Sequence, residues 1–139
     1  MGKKLEGQTA IITGANSGIG AGCALSLGEA GANVVVNYVT KPETAQAIVD
    51  QIKATGSQAI AIQADVSNEA QVISMFAETV KTFGTVDILI ANAGLQRDAK
   101  FDEMTVEQWD LVMNVNLKGQ FLCAREAVNL PLSFCHSFA

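Results

Sequence analysis

The sequence predicts an α/β fold built on an open, doubly wound parallel sheet. Three observations carry this expectation. Short β-branched apolar runs alternate four times with longer segments of helical periodicity, the connections between them are short, and a glycine-rich segment directly follows the first run. Alternation implies parallel pairing because a chain needs a long crossover to return to the same edge of a sheet.

Each element has its own signal. Thr9-Ala10-Ile11-Ile12-Thr13 is short, apolar and β-branched and runs into glycines, as a buried strand does. Gly20, Cys23, Ala24 and Leu27 then fall at i, i+3, i+4 and i+7, with Gly31 placed to stop the helix. Asn33-Val34-Val35-Val36-Asn37 is the second strand. Thr40-Lys41-Pro42-Glu43 has capping-box spacing with proline in the permissive first turn, and Ala45, Ile48, Val49 and Ile52 continue one face until Gly56. Ala59-Ile60-Ala61-Ile62 is the third strand. Ile73, Phe76, Ala77 and Val80 mark a third helix stopped by Gly84, and Val86-Asp87-Ile88-Leu89-Ile90-Ala91 is the fourth strand. A last long helix begins after Thr105, with Gln108 completing another capping box, and carries Trp109, Val112, Met113 and Asn116 on one side. Right-handed crossovers order the strands 3-2-1-4 and place a ligand crevice at their carboxyl ends beside the first strand. No repeat, low-complexity tract or linker divides residues 1–139, so one domain is expected.

Composition narrows the function classes. The 139 residues, 49% hydrophobic and 17% charged, suit one folded domain rather than a disordered chain. A net charge of −5 argues against a broad nucleic-acid surface, while leaving room for a local basic site for one phosphate. No apolar run approaches the ~18 residues of a membrane span. The segment Met1–Gly7 lacks the apolar core of a signal peptide, and Glu6 breaks the myristoylation pattern. Cys23, Cys123 and Cys135 are odd in number and widely spaced, which suits a reducing, cytoplasmic compartment. No metal site is expected.

The chemistry begins at Thr13-Gly14-Ala15-Asn16-Ser17-Gly18-Ile19-Gly20. Glycines let the backbone turn tightly and approach a pyrophosphate, and the following helix offers N–H groups and the positive end of its dipole. The strand-to-helix context is the one such a loop requires. With its G-x-x-x-G-x-G spacing the segment resembles the T-G-x-x-x-G-x-G signature of the short-chain dehydrogenase/reductase family, a Rossmann-type fold. Asp65-Val66 after the third strand, Asn92-Ala93-Gly94 after the fourth and Asn114-Val115-Asn116-Leu117-Lys118-Gly119 in the last helix resemble three further family motifs, in order and at the ends of their elements. The match runs from Leu5 to about Ala127 by element order.

That resemblance implies roles. Gly14, Asn16, Ser17, Gly18, Ile19 and Gly20 would form the pyrophosphate loop. Asp65, with Val66 beside it, would contact the adenine amino group, and Asn92, Ala93 and Gly94 would support the sheet and line the nicotinamide side. Asn116 would belong to the catalytic tetrad, its backbone kinking the helix. Taken singly, Asp65 also fits a turn cap, Asn92 a strand-end turn residue and Asn116 a satisfied amide. The ribose position at the end of the second strand is read as Asn37, followed by Tyr38, without the acid of NAD enzymes. Ser17 stands where NADP-preferring relatives often carry Arg, and Lys41 could reach a phosphate. NAD or NADP, with dual use, is the expected cofactor.

The segments Asn37-Tyr38 with Lys41, Gly94–Ala99 and Gly119–Ala127 resemble the bacterial glucose 1-dehydrogenase branch, with 3-oxoacyl-carrier-protein reductases as close neighbours. The substrate implied is a small alcohol or carbonyl compound, a sugar or a 3-oxoacyl thioester. In the family a tyrosine moves the proton, a lysine four residues later lowers its pKa, and a serine orients the substrate. The only tyrosine here, Tyr38, has Lys41 three residues on and sits at the adenosine end. Ser133, Ser137 and His136 offer no replacement. The stretch Asn129–Ala139, with Pro131, departs from the family pattern and reads as a truncated or frameshifted end after the fourth strand and its helix. Full-length relatives are typically homotetramers, and a chain ending there would leave an open sheet edge, so its oligomerisation is doubtful. The alternative function is therefore a dinucleotide-binding fragment without turnover. A methyltransferase on a similar sheet is disfavoured by the loop spacing and the Asn92-Ala93-Gly94 motif.

Overall fold

The computed structural model describes residues 2–130, and the atypical stretch with Pro131, Ser133, Cys135, His136 and Ser137 lies outside them. Four strands, β1 (Thr9–Ile12), β2 (Asn33–Tyr38), β3 (Ala59–Gln63) and β4 (Ile88–Ile90), form a parallel sheet in the order β3-β2-β1-β4. Helices α1 (Gly18–Glu29), α2 (Pro42–Ala54) and α3 (Glu69–Phe83) make the crossovers. After β4 the chain forms α4 (Val106–Met113), a π-helical turn (Asn114–Lys118) and α5 (Gly119–Asn129). The expected long final helix is thus present but widened by one π turn at the Asn114-Val115-Asn116 segment.

The sheet is doubly wound because alternate strand residues face two apolar layers. Ala10, Ile12, Val34 and Val36 pack with Ala24, Ala45, Val49 and Ile52 of α1 and α2. Ile11 and Val35 point the other way, onto Val72, Met75 and Phe76 of α3 and Leu122 and Cys123 of α5. β1 is buried along its whole length, as its central position requires.

Three local expectations are corrected. The cap of α2 is Lys41, in the left-handed region at φ 60°, and Thr40 makes no capping box. Instead the Thr44 hydroxyl donates to the Lys41 carbonyl at 2.8 Å. On α3 the buried stripe is Val72, Met75, Phe76 and Thr79, while Ile73 is 45% exposed and Ala77 faces solvent. Thr79 can be buried because its hydroxyl donates to the Met75 carbonyl at 2.8 Å. β4 pairs over three residues only, Ile88–Ile90, against Ala10–Ile12. At α4 the Thr105–Gln108 capping box forms in both directions. Among the described residues no helix is long and apolar enough to cross a membrane.

Candidate functional site

The strand order switches direction between β1 and β4, and the glycine turn and Asn92–Gly94 lie together at the carboxyl ends of these two strands. Thr13 extends β1 by one bond, its N–H donating to the Ile90 carbonyl at 3.0 Å. Its hydroxyl accepts from the Ala93 N–H at 2.9 Å, and the Asn92 amide donates to the Thr13 and Gly14 carbonyls at 3.0 and 3.3 Å. Asn92 and Ala93 therefore fasten the end of β4 to the glycine turn, which a sheet-supporting role requires. Gly14 turns at φ 61°, a conformation that costs glycine little. A Cβ on Gly20 would lie 2.4 Å from the Gly14 carbonyl oxygen and 2.5 Å from Asn92 Nδ2, so the first turn of α1 sits directly on the loop. On the outer side, a Cβ on Gly18 would meet nothing within 4 Å. Ser17 caps α1 in extended conformation without a side-chain bond, the first turn carries no acid, and Ile19 is 80% exposed. The result is an open, uncapped helix N-terminus behind a flat glycine turn, suited to an anion.

Asn16 lies in the glycine turn, where its side chain is taken up by the protein. Its amide donates to the Thr40 carbonyl at 2.9 Å and to the Thr44 hydroxyl at 3.0 Å, so the side chain ties the loop to the start of α2. Asn37 differs from its expected ribose role. It is buried, with Oδ1 accepting from Gly14 N–H and Nδ2 donating to the Ile62 and Ala64 carbonyls, and cannot meet a ribose. The physical reason is strand alternation: Asn37 points into the sheet's upper end, and the partly exposed Tyr38 is the side chain that follows at the rim.

Asp65 lies just beyond β3, half-buried. One carboxylate oxygen accepts from the Ser67 N–H at 2.9 Å and hydroxyl at 2.7 Å, and its own N–H donates to Gln71 Oε1 at 2.8 Å. The turn-cap reading of Asp65 is thus present in the geometry. The residue also lines an open cleft of about 560 Å³ with Val39, Gln63, Gln71 and Glu78. The Val66 side chain lies in the core, 3% exposed; Gly119 of α5 lies so close that a Cβ there would be 2.6 Å from Val66 Cγ2. Its burial follows from the start of α5 packing on it beyond the end of β3.

On the other side of the crevice Asn116 makes a two-way clamp. Its Oδ1 accepts from the Leu95 N–H at 2.8 Å and its Nδ2 donates to the Leu95 carbonyl at 2.9 Å. A Cβ added at Gly94 would come to 3.4 Å from Asn116 Oδ1, so this glycine faces the same amide. Asn116 makes this clamp from within the π turn. Trp109, Val112 and Met113 do not enter the core; with Leu95, Met104 and Asn116 they line an apolar cleft of about 240 Å³. Sequence reasoning missed the Thr13 hydroxyl as a loop anchor, although a hydroxyl residue between a buried strand and a glycine turn is itself a signal.

A family model described as short chain dehydrogenase matches residues 8–132. Versicolorin reductase 1 of Aspergillus parasiticus is 49% identical over 124 residues, covering 89% of this chain and 47% of that protein. A 3-oxoacyl-(acyl-carrier-protein) reductase of Staphylococcus aureus is 45% identical over 120 residues, 86% of this chain and 49% of that protein. The crystal structure of a short chain dehydrogenase from Burkholderia cenocepacia in complex with NADP superposes with a TM-score of 0.87 at 38% identity, covering 90% of this chain and 51% of that one. The chain spans about half the length of the curated relatives it matches. With the sheet order, the glycine turn and this match in agreement, the chain belongs to the short chain dehydrogenase family.

Proposed function

We propose that these residues form the dinucleotide-binding part of an NADP-dependent oxidoreductase that moves a hydride between the nicotinamide and a carbonyl or alcohol. The observation that carries the reading is the fit of Gly20 onto the Gly14 carbonyl beneath an open, uncapped α1 N-terminus. That contact holds the first turn of α1 on the glycine turn, and the outer side at Gly18, where an added Cβ would meet nothing within 4 Å, is left open to a pyrophosphate. The backbone of Gly14–Gly20 holds the diphosphate, Asp65 meets the adenine, and Gly94 with Asn116 borders the nicotinamide. When bound, the cofactor supplies or accepts the hydride. Asn116 fixes the Leu95 backbone, and the largely apolar cleft beside it offers surface to the substrate side.

The rim of β2 supports NADP over NAD. Tyr38 stands there without a carboxylate to repel a 2′-phosphate, and the exposed Lys41 is three residues on. The Burkholderia neighbour is described in complex with NADP. Both curated relatives above are named as reductases, which supports reduction of a ketone such as a 3-oxoacyl thioester ahead of oxidation of glucose.

A second reading concerns these residues alone. The single tyrosine is Tyr38 and no Y-x-x-x-K motif occurs in the sequence, so the 139 residues bind cofactor without a proton donor for turnover. Titration of the purified chain with NADPH and NADH, followed by rates with 3-oxoacyl thioesters, aromatic ketones and β-D-glucose, tests both statements. Saturable binding, tighter for NADPH, without turnover is expected. Absence of binding would overturn the dinucleotide function, and ketone-dependent NADPH oxidation would overturn the second reading.

A further inference from the structure

Asn37 is 1% exposed, and a buried primary amide must find partners for its oxygen and both N–H groups. Here those partners lie on two different ligand-facing segments. Oδ1 accepts from Gly14 N–H at 3.1 Å, in the glycine turn. Nδ2 donates to the Ala64 carbonyl at 3.0 Å and the Ile62 carbonyl at 3.3 Å, immediately before Asp65. The Asn37 carbonyl adds a bond from the Ala15 N–H at 2.8 Å. The ladder explains why this matters. β1 pairs with β2 only as far as Ile12 opposite Val36, whereas β2 and β3 stay paired to Tyr38 opposite Gln63. Beyond Ile12 the glycine turn has left the β1–β2 ladder, and Asn37 is the residue that bonds it to β2 and β3.

We propose that Asn37 is a positioning residue that sets the pyrophosphate turn in register with the adenine end of the cleft. The inference rests on the dinucleotide function proposed above and adds a residue that never touches the ligand. A ligand spanning both segments needs their relative placement, and a ligand touching one segment does not. Apolar side chains could fill the same space, but would leave Gly14 N–H and two carbonyls without these bonds. Aspartate keeps the shape and the acceptor for Gly14, but faces the Ile62 and Ala64 carbonyls with no donor, so it releases the β3 side alone.

The test compares the unmodified chain, Asn37→Ala and Asn37→Asp, well below their melting midpoints. Affinities are measured for NADPH, for adenosine and for inorganic pyrophosphate. Both variants are expected to weaken NADPH by about tenfold or more, the scale of one buried hydrogen bond, while adenosine and pyrophosphate change by less than about threefold. Unchanged NADPH affinity, or equal weakening of all three ligands, would overturn the proposal. Failure of the unmodified chain to bind NADPH would instead bring down the function on which it rests. A measurement on the unmodified chain holds even where a variant does not fold: adenosine alone should slow amide exchange at Gly14, and exchange at Gly14 indifferent to adenosine would sink the coupling.

Discussion

Gly20 has no room for a side chain. An added Cβ would press on the Gly14 carbonyl and Asn92 Nδ2 at 2.4 and 2.5 Å, and the carbonyl is backbone that cannot swing away. Gly20→Ala should therefore destabilise the chain by about 1–3 kcal/mol through overpacking and lower NADPH affinity by about tenfold or more. Gly22→Ala, one turn-neighbour away with nothing within 4 Å, is the control and should be neutral or stabilising by about 0.5–1 kcal/mol. Thermal melts and NADPH titrations of the pair check this, and equal behaviour of the two variants would remove the close approach as its cause. Gly14, Gly18 and Gly20 were legible in the sequence because their spacing between strand and helix has one physical reason. The ribose expectation for Asn37 failed because spacing does not say where a side chain points. Asn37 turns inward by strand alternation, and Val66 is buried by a helix that arrives more than fifty residues later.

At the scale of elements, α4 and the π-helical turn that continues it have no buried residue, unlike α1, α2, α3 and α5. The local bonds of α4 must therefore hold what packing does not, and the Thr105–Gln108 capping box supplies two of them, at 3.2 and 2.9 Å. Thr105→Ala should cost about 0.5–2 kcal/mol and speed amide exchange along α4, leaving β1 and β2 unaffected. Hydrogen exchange read by NMR checks it, and a uniform rise across the sheet would contradict a local role. This cap was legible because Thr and Gln stand at the required separation before an apolar stripe. The similar spacing at Thr40–Glu43 misled, since Lys41 takes the cap in the left-handed region and Thr44 closes the turn. The stripe of α3 was displaced by one residue for a comparable reason: Ile73, Phe76, Ala77 and Val80 and the true Val72, Met75, Phe76 and Thr79 share one periodicity. Only the partner layer decides between them.

For the whole molecule, strand order was legible because crossover handedness and the glycine turn leave few arrangements for four alternations. How the second apolar layer closes was not, because it depends on α5 packing onto α3 and, through Gly119, onto Val66. Cys123 sits in that closure, 1% exposed beside Leu122 and packed with Ile11, Val35 and Phe76. Burial pushes its thiol up from 9.0 to about 11, since the thiolate would lose its water there. Unfolding returns the thiol to its ordinary value, so above pH 9 the unfolded chain binds fewer protons than the folded one. The stabilising contribution is complete below pH 9 and is lost as pH rises through 11, a fall of about 2–3 kcal/mol. Lysines also titrate in that window, which makes the difference between the unmodified chain and Cys123→Ala the proper readout. Urea denaturation from pH 7 to pH 11 should show a gap between the two that is constant up to pH 9 and then narrows. A gap that stays constant to pH 11 would mean the thiol ionises without cost, and that the α3–α5 layer opens to water before the sheet does.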